Sequence, residues 1–450
     1  MPLDTAEELT DRTDRDATAP AGSISTPGLN WYLLFIVSWF LHLPARIPFL
    51  GLVRADLVLV VILGLLAMKK SNEVRATTRT GRLVTILVVY AILTVPFVEW
   101  PGSVLKSGLP NLIKAAIFYY FTIAFVKTER DLRRFILVLV ACQVLRIIEP
   151  VYLNLAYGYW GSAASMAGGS EFLQRLSGSP WDVVNPNGLA WVICTVLPFL
   201  YFMQNLSWKH RLGFLIVAPI CLYALALTGS RSGVIAFAIL FVAILIKSKR
   251  RALLSVAGTI AIVVGFLNLT PDMQDRYLSI FGEGDKNAAT AEERVEGIDG
   301  QLRVAMRRPI FGHGLGTSTE ANFHFNNSGP YAGLALPAHN LYVELIQEIG
   351  LVGLVIFLLL MVSIVSDVIR SARHMPADKG PFLPKLVDIL QVLIVLNVVF
   401  SFASYGLSSN DWYLLGGIAV VLERLREAGT VNRAEDRGEL STDGRGTNYV

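Results

Sequence analysis

The chain has 450 residues, 53% of them hydrophobic and only 16% charged, with a formal net charge of +4. A mean hydropathy of +0.52 excludes a soluble domain of this length, and so small a positive charge gives no reason to expect a nucleic-acid partner. The three cysteines, Cys142, Cys194 and Cys221, all fall inside apolar segments, which reads as packing and excludes a disulfide framework.

Residues 1–29 are polar and rich in Asp, Glu and Thr, and predict a cytoplasmic tail without a cleavable leader. Apolar runs then recur at the length that helices need to cross a hydrocarbon core of ~30 Å. They predict an all-α polytopic membrane protein with about twelve transmembrane helices, near 30–48, 52–68, 83–99, 110–126, 135–156, 187–204, 213–229, 232–246, 253–268, 340–368, 386–406 and 411–423. Pro44 interrupts the first. Basic clusters follow every second span: Lys69 to Arg82, Lys127 to Arg134, Lys209 and Arg211, Lys247 to Arg251, and Arg370 to Lys385. The positive-inside rule puts these loops and both termini in the cytoplasm. Two long loops then face outward. Residues 157–186 are rich in Gly, Ser and Trp. Residues 269–339, between spans nine and ten, are helical near 289–308. Loops this long are functional or disordered. The membrane domain covers 30–425, and the polar residues 426–450 predict a disordered cytoplasmic tail.

Three inward-running spans open with helix-start residues: VVNPNGLAW, LTGSRSGVI and AHNLYVEL. Asn187, Ser232 and Asn340 are expected to cap free N–H groups, and each helix points its positive end outward. Helix N-termini bind phosphates, so three converging ends would make an anion site at the outer surface. Arg231, in TGSRSG, stands in a very short turn, and its planar fork suits phosphate oxygens; a snorkelling interfacial arginine is the plainer reading. Arg294 opens RVEGIDGQLRVAMRRPIFGHGLG, followed by Arg303, Arg307 and Arg308. There the plainer reading is a solvated amphipathic helix, ended by Pro309 and the turn glycines Gly312, Gly314 and Gly316. His339 lies beside a helix N-terminus, whose dipole disfavours imidazolium, and a neutral imidazole can act as general base. His313, Glu320, His324 and His339 share a loop, but their spacing matches no zinc pattern, so no metal is expected. Trp160, Arg175 and Trp181 are candidate glycan contacts, against the commoner reading of interfacial Trp. Arg54, Asp56, Lys114, Arg146 and Glu149 are ionisable groups in or beside spans, without an assigned role.

HNLYVELIQEIGLVG with its paired Gly350 and Gly353, the Arg294 to Pro-x-x-Gly signature, TGSRSG and VNPNGLA together resemble the O-antigen ligase and O-antigen polymerase superfamily of bacterial envelope glycosyltransferases. Their order and the span plan cover most of residues 30–425. The resemblance implies a multi-pass inner-membrane enzyme whose active site faces the periplasm. It would transfer a glycan from a polyprenyl diphosphate to an acceptor hydroxyl on a lipid or growing polysaccharide, without metal, nucleotide or cofactor. It implies His339 as base and Arg231 and Arg294 on the diphosphate, with Asn340, Asn187 and Arg303 in support. Gly297 and Ile298 stand where the family commonly has an apolar-Trp pair, which makes Arg303 the alternative to Arg294. A ligase and a polymerase share these motifs. The competing class is a transporter or lipid-linked glycan flippase, which would concentrate polar groups near the midplane; here they gather at the outward ends.

Overall fold

The computed structural model describes residues 26–69, 78–161, 175–182, 184–248, 251–267, 269, 271–278, 289–327, 332–338, 340–375, 380–402 and 406–436. His339, residues 162–174 and 183 of the 157–186 loop, residues 1–25 and residues 437–450 lie outside the described residues. Among these residues every regular element is helical. The helices of eight or more residues are α1 (Leu29–Phe40), α2 (Ala55–Met68), α3 (Arg79–Leu93), α4 (Leu109–Phe125), α5 (Glu129–Tyr157), α6 (Pro186–Met203), α7 (Trp208–Thr228), α8 (Arg231–Lys247), α9 (Arg251–Leu267), α10 (Pro271–Leu278), α11 (Ala289–Ala305), α12 (Ser318–Phe325), α13 (Leu341–Arg373), α14 (Phe382–Phe400) and α15 (Asp411–Asp436).

Each predicted apolar segment falls on a helix. Among the described residues, six helices are long and apolar enough to cross a bilayer: Pro101–Phe125, which extends α4 backwards through a π-helical turn, and α5, α6, α7, α13 and α14. The helices α1 and α2 are apolar but shorter, and α1 stops at Phe40, with two short helical turns around Pro44 and Pro48 before α2. The count of twelve crossings therefore rests on the alternation of charge along the sequence and not on helix length. At the C-terminal side α15 runs to Asp436, past the expected boundary at 425. The segment that follows its apolar part, ERLREA at 423–428, is rich in strong helix formers, so the helix continues beyond that part.

The helix α6 lies at the centre, touching α5, α7, α8 and α14, while α13 packs on α3, α14, α15 and α11. Aromatic side chains fill the junction of α1, α4 and α5, where Tyr32 stacks on Phe135 and Phe35 meets Phe118 and Phe121.

Gly350 breaks α13. It holds φ 70° and ψ −176°, leaving a half-helix of residues 341–349 ahead of the long apolar part. A break frees backbone groups that lipid cannot satisfy, so it is tolerated only where protein covers it. The Pro-x-x-Gly turn supplies that cover. Leu351 N–H donates to Pro309 O at 2.7 Å, His313 N–H to Gln347 O at 2.7 Å, and Gly314 N–H to Glu348 O at 3.1 Å. The Tyr90 hydroxyl reaches Ile349 O at 2.9 Å. The Glu348 carboxylate takes the Gly316 N–H at 2.7 Å. A side chain at 350 would adopt a left-handed φ, and its Cβ would stand 2.1 Å from Ile310 O. Gly350→Ala is therefore expected to destabilise the protein by about 2 kcal/mol or more, whereas Gly64→Ala, with open space around it, leaves stability unchanged or slightly raised. Thermal unfolding of the two variants in detergent checks this.

Candidate active site

The starts of α6 and α8 meet. Asn185, just before Pro186 at the first helical position, caps α6 by accepting from Gly188 N–H at 2.8 Å. Ser230 caps α8 by accepting from Gly233 N–H at 3.1 Å. The caps thus fall two residues before Asn187 and Ser232, because the Asn-Pro and Ser-Arg steps place the first helical residues at Pro186 and Arg231. Asn187, released from capping, has its Oδ1 2.9 Å from Ser230 Oγ and 2.9 Å from Arg175 Nη2. This joins the two helix starts directly. Gly229, at φ 54°, ends α7 and allows the reversal into α8 within two residues. Arg231, half-buried, is the first residue of α8, at the positive end of that helix.

The segment 175–182 ties this turn to α5 and to the residues just after α1. Arg175 Nε donates to Thr228 O at 2.8 Å, and Leu176 N–H to Leu227 O at 2.9 Å. At the other end Asp182 is buried and takes two bonds from Arg146, at 2.6 and 2.9 Å, and one contact from His42 at 3.2 Å. Arg46 adds a bidentate pair with Glu149 and a bond to Ser179 Oγ. Arg146 and Glu149, the span residues without an assigned role, therefore anchor this strap. Burial alone would raise the Asp182 carboxyl, but bonds from His42 and Arg146, with the Arg146 charge, outweigh it and hold the carboxyl below its ordinary value. Trp181 is half exposed, and the Trp160 carbonyl accepts from Ser177 N–H at 2.9 Å.

The start of α13 stands at the same end of the bundle. Asn340 caps it, accepting from Tyr342 and Val343 N–H at 2.9 and 3.2 Å, and donates to Phe402 O at 3.3 Å. Phe400, two residues earlier, stacks on Trp191 of α6 with ring centroids 4.4 Å apart, and Trp191 lies one turn after Asn187. The three helix starts are thus tied by contacts through the end of α14. Glu344 is no free carboxylate here. It accepts from Gly406 and Leu407 N–H at 2.7 and 3.2 Å and fixes the loop before α15.

The helix α11 packs on the half-helix of α13. Gly297, Gly300 and Gln301 are buried, and Gln347 Nε2 donates to Gln301 O at 2.9 Å. At 100° per residue, position 294 shares the stripe of Gly297, Gln301 and Val304, while position 303 lies about 180° away. Arg303 is exposed and pairs with Asp299 at 2.7 Å. His313 is a core histidine: it is buried against Trp100 and Phe325, with Nε2 2.9 Å from Val304 O. Burial pushes its pKa below the ordinary value, against the opposing bond to Val304.

Residues 190–358 match the family model described as O-antigen ligase. This stretch of the chain is thus similar to the O-antigen ligase and polymerase superfamily. The matched region begins three residues after Asn187, holds Arg231, Arg294, His339 and Asn340, and ends past the Gly350 break. The family is one of glycosyl-transferring membrane enzymes. No curated protein matches the chain.

The structure brings Asn187, Arg231 and Asn340 to one end of the bundle and sets Arg303 on an outer helix face. Asn340 caps α13 as the sequence predicts, whereas sequence reasoning missed the caps of α6 and α8, although the Asn-Pro step at 185–186 carried the signal, and missed the role of Gly350, which no local pattern separates from an ordinary helix glycine. A prediction follows from the strap. Asp182→Asn leaves the Arg146 charge buried without its carboxylate, at a cost of about 3 kcal/mol or more. Because the folded carboxyl titrates below its unfolded value of about 3.9, its contribution is full above that pH and is lost as pH falls through the folded value. The variant is expected to melt lower than wild type at neutral pH, with the gap closing on acidification below about pH 4; thermal unfolding across pH in detergent measures both.

Proposed function

We propose that the protein transfers a glycan from a polyprenyl diphosphate to an acceptor hydroxyl at the outward-facing surface of a bacterial inner membrane. One observation supports this most directly. The helix starts carrying Asn187, Arg231 and Asn340 gather at one end of the bundle, inside or bordering the region matched by the O-antigen ligase family.

The chemistry then assigns roles. The acceptor oxygen attacks the anomeric carbon, its proton passes to His339, and the bond from that carbon to the diphosphate oxygen breaks. Diphosphate is already a good leaving group, so what remains is to stabilise its charge. Arg231, Arg294 and the N–H groups at the start of α8 do this in a site with little water, where fixed donors contribute several kcal/mol. Arg294 is preferred to Arg303, because position 294 lies on the helix stripe that faces α13 and Arg303 is engaged on the opposite face. Asn340 holds the helix start that follows His339, and Asn187 acts through Ser230. The acceptor is a lipid or a growing polysaccharide.

Purified protein in liposomes, given a polyprenyl-diphosphate oligosaccharide with and without acceptor lipid, tests the proposal by the size of the products. His339→Ala is expected to lower turnover by roughly 10²–10⁴-fold in a folded, inserted protein, and Arg231→Ala to lower it by about 10²-fold or more. Longer polyprenyl-linked chains without acceptor mean a polymerase; product only with acceptor means a ligase. Substrate movement across the bilayer with no new glycosidic bond would replace the proposal with a transporter.

A further inference from the structure

One guanidinium from outside its own helices reaches both sides of the turn that carries Arg231. Arg175 Nε donates to Thr228 O at 2.8 Å, and Arg175 Nη2 donates to Asn187 Oδ1 at 2.9 Å. That same Asn187 oxygen accepts from Ser230 Oγ at 2.9 Å, and Ser230 Oγ accepts the Gly233 N–H that caps α8. Leu176 N–H, donating to Leu227 O, extends the clamp by one residue. Residues 227, 228 and 230 are therefore fixed through one side chain and its neighbour, and Arg231 is the next residue in the chain.

The bonds answer a definite need. Leu227 and Thr228 end α7, and the last carbonyls of a helix have no partner within it. Asn187 Oδ1 has two lone pairs, and both are used. A guanidinium can serve two acceptors in fixed directions because it is planar; an ammonium on a flexible stem cannot. The opposite end of the strap is fastened by Asp182 to Arg146 and His42, so the clamp is held at both ends. The sequence allowed Arg175 as a glycan contact. With Nε directed at the Thr228 carbonyl and Nη2 at the Asn187 side chain, its geometry serves the protein's own helix ends.

We propose that Arg175 is a positioning residue. Through Thr228 and through the Asn187–Ser230 pair it sets where the Arg231 guanidinium and the first N–H groups of α8 stand, and so sets affinity for the diphosphate of the lipid-linked donor. The inference rests on the role given to Arg231 in the proposed function.

The test uses the full-length protein in liposomes as wild type, Arg175→Lys, Asn187→Leu, the double variant and Asn187→Asp. Each meets two donors, a polyprenyl diphosphate bearing one sugar and one bearing a long glycan. Binding of polyprenyl diphosphate without sugar is measured separately by native mass spectrometry. Arg175→Lys and Asn187→Leu are each expected to raise KM for both donors by about ten- to a hundredfold with kcat little changed. The double variant is expected to be no worse than the worse single one, since both break the same bridge. Asn187→Asp keeps both acceptor contacts but adds a negative charge, so it is expected to raise KM less than Asn187→Leu does, and the comparison of these two variants decides the matter if Arg175→Lys does not fold. A loss confined to the long glycan would make Arg175 a sugar contact and overturn the inference. Additive losses, or a wild-type KM in Arg175→Lys, would overturn it too. A wild type that transfers neither donor overturns the transferase reading. The binding arm still decides Arg175 in that case: weaker polyprenyl diphosphate binding in Arg175→Lys supports its role, and unchanged binding overturns it.

Discussion

A helix end next to a bilayer leaves N–H and C=O groups that neither the helix nor lipid can satisfy. The candidate site of this protein is assembled from such ends, and much of the surrounding structure satisfies them. Asn185, Ser230 and Asn340 take the first N–H groups of three helices. Arg175 and Leu176 take the last carbonyls of α7. The Pro-x-x-Gly turn and Tyr90 take the groups released where α13 breaks at Gly350. Each contact satisfies a backbone group and also fixes the direction of a helix start. On the proposed function, those starts point their positive ends at the diphosphate.

Two ion pairs fasten the strap beside the site: Arg146 with Asp182 and Arg46 with Glu149 neutralise one another within the protein. Such buried pairs are weak evidence for stability in themselves, but here they fasten a strap whose other end holds the TGSRSG turn.

The two glutamates of the HNLYVELIQEIGLVG segment illustrate how chemistry near a site can be structural. Glu344 and Glu348 lie one helical turn apart, and each accepts backbone N–H groups from a different loop. One loop precedes α15 and the other follows the Pro-x-x-Gly turn. The half-helix after His339 is therefore a hub for the segments around it, which explains why so polar a sequence opens an apolar helix.

Composition and apolar periodicity alone determined that this is an all-helical, multi-pass membrane protein, because burial in lipid demands long apolar runs wherever the chain crosses. Short local motifs were equally legible: the helix starts at VNPNG, GSRSG and HNLYV, the helix at 289–305 and the glycine turn after it all follow from residue-by-residue preferences. Only the tertiary structure decided which residues those motifs touch. It turned Arg175 inward onto Thr228 and Asn187, fastened Asp182 to Arg146 and His42, and made Gly350 the point where a loop enters a helix. The physical reason is one of range. Capping, turns and helix formation depend on neighbours within about four residues, whereas the bonds that give these arginines, carboxylates and glycines their roles join residues that are distant in the chain, some by more than a hundred positions.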